Sequence, residues 1–323
     1  MKILFIADFF ANQINGGGEL NNSVLVDLLS SRGYEVSCIN SHLVSEYNIL
    51  SSDAIVVSNF INLSEQNRKN LQRKKYVIYE HDHKYLRNRN PATYKNFKAP
   101  SQAIVNYEFY KHAKTVFCQS KFHADIVKKN LEMDNIISVG GNLWTEETLK
   151  SLRLLSKNDK SDRCSIMSSD IPHKGTDHAK LYCEKNNLEY DLIMPCGHNE
   201  FLKKLGANNT LIFFPKTPET LSRIIVEARM MNIKVVTNSL VGAASEPKIV
   251  VPFFNVEKWI KKTLLSVKYQ SHKDFQCILI DDLSTDSSVE IIKKIIDGDD
   301  RFLLIENTEK SYPFENIRNA LTR

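Results

Sequence analysis

An α/β fold with parallel sheets is predicted for this 323-residue chain. Short apolar runs typical of buried parallel strands recur along it, beginning with Lys2–Ala7, KILFIA. Several runs lead through a polar turn into apolar residues at helical spacing, as in Thr210–Asn238. Alternation of strands and helices builds parallel sheets with helices packed on their faces. No low-complexity tract or 20-residue repeat interrupts the pattern.

The N-terminus reads as a strand–helix–strand unit with a glycine-rich first turn, Asn15–Glu19. A helical pattern follows and ends at Gly33, before a second strand at Tyr34–Ile39. The turn lacks the G-x-G-x-x-G spacing of nicotinamide enzymes, which makes that class a weak interpretation. Whatever the function, Gly17 and Gly18 are expected to serve a turn that needs positive φ.

Two glutamates lie in the predicted strand–helix–strand unit Thr210–Asn238. Leu211–Phe214 is a predicted strand, and Thr217 with Pro218 is a predicted helix start. Glu219 then lies where the strand leads into the helix, and Glu227 lies about two helical turns later. Free N–H groups at such a turn suit a diphosphate. A carboxylate there would repel the diphosphate, so it is expected to accept from sugar or ribose hydroxyls. Alternatively, Glu219 caps a helix dipole and Glu227 is solvated.

This spacing resembles the Glu-x7-Glu signature of retaining GT-B glycosyltransferases, family four. The resemblance implies two Rossmann-like domains, and implies that Glu219 contacts the donor sugar and Glu227 the nucleotide ribose. Leu221 and Ser222 stand where the family usually has Phe-Gly, in the donor-facing turn.

Two further motifs of the first half resemble the same family. The turn Asn15–Glu19 resembles its Gly-Gly-x-Glu opening, which implies that Gly17 and Gly18 approach the donor phosphates. His81 and Asp82 follow the predicted strand Tyr76–Tyr79, where the family often has a His-Asp pair at the donor sugar. Alternatively, His81 is a loop histidine with a surface partner.

In the second half, Lys174 and Gly175 match the family's Lys-Gly, with the lysine pairing with the diphosphate. The family's arginine shortly before that lysine is absent, and Ser168 and Ser169 occupy the region. The resemblance therefore predicts a donor site with one phosphate-binding charge fewer than usual.

From residue 246 the sequence changes character. Lys248–Ile260, Phe275–Asp286 and Phe302–Asn307 read as a fresh β-α-β-α-β run. These residues resemble the N-terminal part of inverting GT-A glycosyltransferases, family two, with their VPxYN strand end and DDxSTD turn.

The second resemblance implies a possible second nucleotide site, with Asp281, Asp282 and Ser284 at nucleoside-binding positions. Pro252–Asn255 match the first turn of that family, and Asn316–Ala320 resemble its ARN helix. The family's metal-binding Asp-x-Asp and catalytic base are not found, so this segment is expected to bind a nucleotide weakly and not to catalyse. Whether it begins a truncated second transferase or completes the sheet of the first stays open.

The predicted domains follow from these two resemblances. They are an acceptor-side domain over 1–145, a shortened nucleotide-sugar domain over 163–245 and a partial GT-A-like segment over 246–323. Residues 145–162, charged and partly helical, are expected to form a hinge or linker.

Composition is ordinary for a globular protein, with 42% apolar and 25% charged residues and a net charge of +5. The mild positive charge permits an anionic partner without demanding one. Five basic residues cluster on a polar helix and are either a solvated face or a contact for anionic membrane: Arg68, Lys69, Arg73, Lys74 and Lys75. Six cysteines without ligand-type spacing predict no metal site. Without a signal-like or membrane-spanning run, the expected location is the cytoplasm, with peripheral membrane contact as an option.

The sequence thus predicts a glycosyltransferase that moves a sugar from a nucleotide-sugar donor to a glycan, lipid or other acceptor. Retention, no cofactor, no metal and no nucleic-acid partner are expected. The alternative is a catalytically inactive nucleotide-binding or scaffold protein derived from such enzymes. An inverting enzyme acting through the C-terminal segment ranks last.

Overall fold

The computed structural model describes residues 1–14, 16–245, 248–269, 275–311 and 316. Its contacts divide the chain into two compact units, Met1–Ala243 and Ala244–Arg323. Of the helix expected at Asn316–Ala320, only Asn316 is described, and it is helical. The rest of that helix lies outside the described residues, as does Asn15 of the glycine-rich turn.

The first half of unit one is a parallel sheet of six strands in the order β2-β1-β3-β4-β5-β6. Its strands are β1 Lys2–Ala7, β2 Glu35–Asn40, β3 Ala54–Val57, β4 Tyr76–Glu80, β5 Thr115–Cys118 and β6 Ile136–Ser138. Leu4, Phe5 and Ile6 are at most 1% exposed, because β1 is an inner strand covered on both faces. The connecting helices are α1 Gly17–Ser31, α2 Glu46–Leu50, α3 Glu65–Leu71, α4 Tyr107–His112 and α5 Lys121–Leu131.

The second half of unit one is a parallel sheet of four strands in the order β10-β9-β7-β8. Its strands are β7 Ser161–Met167, β8 Tyr190–Ile193, β9 Asn208–Phe213 and β10 Lys234–Thr237. Its helices are α6 Glu146–Leu155, α7 Thr176–Lys185, α8 His198–Gly206 and α9 Arg223–Met230, and α10 Gly242–Ser245 spans the boundary between the two units.

The predicted hinge over 145–162 is instead part of this second half. It consists mainly of α6, which packs against α8 and α9 and buries Leu152. The apolar stripe of α6 needs such a partner surface. The segment is therefore a packed helix rather than a free linker.

In both sheets of unit one, the direction in which successive strands are added reverses between two neighbouring strands inside the sheet. In the first sheet the order reverses between β1 and β3, and in the second between β7 and β9. Connections leave in opposite directions at such a point, which opens a crevice outside the carboxyl ends of the two strands. The fold therefore provides a crevice in each half of unit one.

Unit two contains a three-stranded parallel sheet in the order β11-β12-β13. Its elements are β11 Lys248–Phe253, α11 Glu257–Lys268, β12 Gln276–Asp281, α12 Ser288–Ile296 and β13 Phe302–Glu306. Ile260 and Leu264 of α11 and Ile292 of α12 are buried in one apolar cluster with the sheet. Across the described part of the chain, no helix has the length and apolar character needed to cross a bilayer.

Candidate functional site

Two adjoining chambers lie at the carboxyl ends of the strands of unit one. The first chamber has a volume of about 530 Å³ and is the more polar of the two; Asp8, Glu19, Asn59, His81, Arg89 and Thr220 are among its lining residues. The second has a volume of about 670 Å³ and is more apolar; Met167, Ile193, Met194, Phe201, Phe213 and Glu227 are among its lining residues. Lys174 and Glu219 line both chambers and therefore stand in their common wall.

Lys174 and Glu219 form an ion pair in this wall, with Nζ 2.7 Å from Oε1. Lys174 ends a short 3₁₀ turn, and Gly175 follows it with φ of 72°. Only glycine fits there, because an added Cβ would lie 1.8 Å from the carbonyl oxygen of Phe214. The predicted Lys-Gly and first acid are thus brought together at one point.

The main chain fixes Glu219 from both sides. Its N–H donates to the carbonyl oxygen of Leu240 at 2.7 Å, and its own carbonyl oxygen accepts from the N–H of Gly242 at 3.0 Å. This pairing excludes a helix at residues 218–222, so the prediction that α9 begins at Thr217 or Pro218 is wrong. The helix begins at Arg223, and Glu219 does not cap it.

Ser222 precedes α9 with φ of 75° and ψ of 91°. This is unusual for a residue with a side chain, and it is the position where the resembling family has glycine. Ser222 is buried and its Oγ has no partner. The neighbouring Leu221 is 7% exposed and accepts from the N–H of Ala243 through its carbonyl oxygen.

Glu227 lies in the wall of the second chamber with its side chain 2% exposed, which excludes the solvated interpretation. Its Oε1 accepts from Trp144 Nε1 at 2.9 Å and lies 3.0 Å from His198 Nε2 and 3.4 Å from Arg223 Nη2. A buried carboxylate needs such partners to stay charged. The group is therefore a fixed acceptor at the edge of the second chamber.

Gly17 and Gly18 begin α1 and face the two chambers. An added Cβ at Gly17 would lie 3.3 Å from Arg223 Cδ, and one at Gly18 would lie 3.4 Å from the ring of His81. Neither residue has positive φ, so the expectation of a positive-φ turn is wrong. Both are glycines in places where side chains approach closely.

His81 follows β4 at the first chamber, as expected, and its ring is engaged on both sides. Nε2 lies 2.7 Å from Asn22 Oδ1, and Nδ1 contacts the side-chain amide of Gln119. Burial lowers the pKa of His81 to about 3, and nearby Lys84 and His123 add to the effect. His81 is therefore neutral near pH 7, with both nitrogens held by protein amides, and is not a surface loop histidine.

The turn that carries Glu219 rests on the first half of unit one. Thr220 Oγ1 donates to Gln119 Oε1 at 2.7 Å, and Ser120 Oγ donates to the carbonyl oxygen of Thr220. His83 Nε2 lies 3.3 Å from the carbonyl oxygen of Pro218. The side-chain amide of Gln119 also contacts His81, so it links His81 to the turn that carries Glu219.

Three side chains around Glu227 were not found from the sequence: Trp144, His198 and Arg223. Glu19, the last residue of the Gly-Gly-x-Glu opening, had no role assigned to it from the sequence. Burial raises the pKa of Glu19, which accepts from Asn59 at 3.2 Å in the first chamber. Arg223 alone carried a usable signal, since it lies four residues before Glu227, on the same helix face.

In unit two, Asp281 and Asp282 end β12 and begin the following turn. Both carboxylate oxygens of Asp281 accept from the N–H of Ser284, at 3.0 and 3.2 Å. Oδ1 of Asp282 accepts from Asn307 Nδ2 and from the N–H of Ser311. The predicted residues thus occupy one turn and support its shape, and their nucleotide-binding role stays a prediction.

Comparison with known proteins gives a family for the C-terminal segment. Residues 248–323 match the model of Glycosyl transferase family 2. The predicted class, glycosyltransferase, is confirmed for this segment. The family-four assignment of residues 1–245 stays a prediction.

Two curated relatives match over short stretches. An uncharacterized glycosyltransferase of Haemophilus influenzae is 46% identical over 56 residues, which are 17% of this chain and 22% of that protein. Glycosyltransferase GlyA of Streptococcus pneumoniae is 40% identical over 58 residues, which are 18% of this chain and 8% of that protein. The chain thus matches less than a quarter of the length of either relative.

Among solved structures, the chain is similar to the catalytic domain of starch synthase IV from Arabidopsis thaliana, bound to ADP and acarbose. The TM-score is 0.50 at 9% identity, over 93% of this chain and 92% of that domain. This likeness confirms the predicted fold class, an α/β fold with parallel sheets of GT-B-like type.

The described residues contain no three His, Cys, Asp or Glu side chains placed to hold a metal ion together. The expectation of metal-independent chemistry stays a prediction.

Proposed function

We propose that this protein transfers a sugar from a nucleotide-sugar donor to a glycan, lipid or other acceptor, with retention and without a metal ion. The observation that carries the proposal is the Lys174–Glu219 pair in the common wall of two chambers. The pair places a cation and a hydrogen-bond acceptor where a donor would pass from one chamber to the other. The family match of residues 248–323 supports the same class of reaction.

The two chambers differ in their chemistry, and each suits a different part of the donor. The second chamber offers apolar walls for a base and Glu227 for ribose hydroxyls. Lys174, Gly17 and Gly18 stand beside the diphosphate, with Leu221 and Ser222 in the turn above it. Lys174 and the N-terminus of α9 would stabilise the charge that develops on the leaving phosphate.

The first chamber receives the sugar and the acceptor in this proposal. Its lining is rich in carboxylate and amide groups, including Asp8, Glu19, Asn59 and Asn62, which can bond to hydroxyl groups. Glu219 orients the donor sugar. His81, being neutral and held by two amides, acts as a positioning residue and not as a proton carrier.

Turnover of UDP- and GDP-sugars tests this function, using both donor hydrolysis and transfer to sugar and lipid acceptors. Glu219→Gln keeps the shape but loses the charge that pairs with Lys174, and we expect its turnover to fall about 100-fold or more. Glu200→Gln is the matched control, an exposed glutamate on α8 of the same half. Nucleotide binding with no turnover of any donor would favour the inactive alternative.

The alternative to a donor site at Glu227 is a nucleotide site in unit two, at Asp281, Asp282 and Ser284. The turn that holds them lies within the segment that matches family 2. Nucleotide binding that is lost in Asp282→Ala and kept in Glu227→Ala would support it. Binding that is unchanged in Asp282→Ala would contradict it.

We also propose contact between anionic lipid and the surface formed by Leu43, α2 and the basic cluster Arg68, Lys69, Arg73, Lys74 and Lys75. Leu43, Tyr47 and Leu50 are 62–77% exposed, and Lys74 Nζ donates to the carbonyl oxygen of Leu50 at 3.1 Å. Exposed apolar side chains beside basic residues suit an anionic membrane surface. The chain should sediment with phosphatidylglycerol vesicles and not with phosphatidylcholine vesicles, and Leu50→Glu should weaken this. Equal absence from both pellets would contradict the contact.

A further inference from the structure

Arg223 is a buried cation inside the second chamber. It is the first residue of α9 and lines the chamber together with Gly17, Lys174 and Glu227. Its side chain is 8% exposed, and its Cδ is the atom closest to a Cβ added at Gly17. The absence of a side chain at Gly17 thus leaves the space that Arg223 occupies.

The hydrogen bonds of Arg223 are incomplete. Nη1 donates to the carbonyl oxygen of Leu143 at 2.7 Å, and Nη2 lies 3.4 Å from Glu227 Oε1. The guanidinium also lies 4.5 Å from the ring centre of Trp144. Nε is buried with no partner, and so is the adjacent Ser222 Oγ.

Two unpartnered donors on consecutive residues that both line the second chamber are costly, since each buried polar group without a bond costs about 1–3 kcal/mol. Both lie at the N-terminus of α9, an eight-residue helix whose free N–H groups favour negative charge. Adjacent donors of this kind indicate that an anionic acceptor belongs here.

The charge of the chamber leads to the same conclusion. Ser168 and Ser169 line this chamber without adding charge, and Lys174 itself is already paired with Glu219. A diphosphate needs more positive charge than this lysine supplies. Burial lowers the pKa of Arg223, opposed by Glu227, yet a guanidinium stays charged at neutral pH.

We propose that Arg223 is the second phosphate-binding cation of the second chamber and that it holds the diphosphate of the donor together with Ser222 Oγ and Lys174. Binding exchanges partners: ribose hydroxyls donate to Glu227, and phosphate oxygens accept from the guanidinium of Arg223. This inference rests on the proposed function and adds a residue to it.

Calorimetric titration with UDP and GDP, and with uridine and guanosine, separates the phosphate contribution from the rest. Arg223→Gln should lower affinity for the diphosphate that binds wild type by about 10- to 100-fold, the value of a charge-assisted hydrogen bond. Affinity for the matching nucleoside should not change. Arg229→Gln is the matched control, an exposed arginine on the same helix, and should bind both ligands as wild type does.

An equal loss for diphosphate and nucleoside would overturn the inference, because Arg223 would then act only through Glu227 and the ribose. Unchanged diphosphate affinity would overturn it as well. If Arg223→Gln does not fold, Arg223→Met replaces it, and wild-type diphosphate affinity in that uncharged variant would overturn the inference. Failure of the wild-type chain to bind any nucleotide would instead contradict the proposed function itself.

Discussion

Ser222 shows at the scale of one residue how the donor-facing turn departs from the resembling family. Its φ of 75° is reached at a cost, and its buried Oγ has no partner within the protein. Glycine adopts this conformation freely and has no hydroxyl to satisfy. In the absence of a ligand, glycine would therefore fit this position better than serine.

We expect Ser222→Gly to raise the free energy of unfolding by about 1 kcal/mol, because relief of strain and of the buried hydroxyl outweighs the added freedom of the unfolded chain. Urea titration followed by intrinsic tryptophan fluorescence would measure it. Ser222→Ala, which keeps the strain, is the control and should gain less. A loss of stability in Ser222→Gly would show that the turn is not strained.

At the scale of elements, most strands of the prediction agree with the structure within one or two residues. Runs such as KILFIA are apolar because inner parallel strands are covered on both faces, so their composition alone reveals them. The start of α9 could not be predicted in this way. It depends on the pairing of Glu219 with Leu240 and Gly242, about 20 residues away.

The residues of the candidate site also fall into those that short sequence motifs reveal and those that depend on distant contacts. Glu219, Glu227, Lys174 and His81 belong to short motifs and could be named from sequence. Trp144 and His198 could not, because they reach Glu227 from segments 83 and 29 residues away.

The contact between the turn at Gly175 and the end of β9 gives an element-scale prediction. In Gly175→Ala the new Cβ would meet the carbonyl oxygen of Phe214 in addition to the strain of positive φ. We expect a loss of about 2–4 kcal/mol in the free energy of unfolding.

Gly33→Ala is the matched control, since Gly33 has φ of 83° with nothing within 4 Å of an added Cβ. It should lose only the strain, about 1–2 kcal/mol. Equal losses in the two variants, by denaturant titration, would contradict the close contact at Gly175.

At the scale of the whole molecule, a group of buried neutral histidines couples stability to pH. His83 and His123 are at most 1% exposed, with ring centres 5.2 Å apart. Burial lowers the pKa of His83 to about 4 and that of His123 to about 3. Protonation of His123 at Nδ1, which has no partner, would add an unpaired donor in the core.

The unfolded chain protonates these histidines near pH 6.5, and the folded chain does not. The unfolded chain therefore binds more protons than the folded chain below that pH, so the free energy of unfolding falls as pH decreases from 7 toward 4. The loss should be about 2 kcal/mol per histidine at pH 5. Urea titrations between pH 7 and 5 measure it. His123→Gln should flatten the slope, whereas the exposed His112→Gln should not; equal slopes in all three would contradict the coupling.

The central claim is that unit one holds a nucleotide-sugar donor at Glu227, and calorimetric titration with UDP, GDP and their sugar conjugates tests it most directly. Titrations with and without Mn²⁺ would compare wild type with Glu227→Ala, Asp282→Ala and the control Glu200→Ala. We predict metal-independent binding that is lost in Glu227→Ala and kept in the other two variants. Binding that survives Glu227→Ala but fails in Asp282→Ala would contradict the claim and place the nucleotide in unit two.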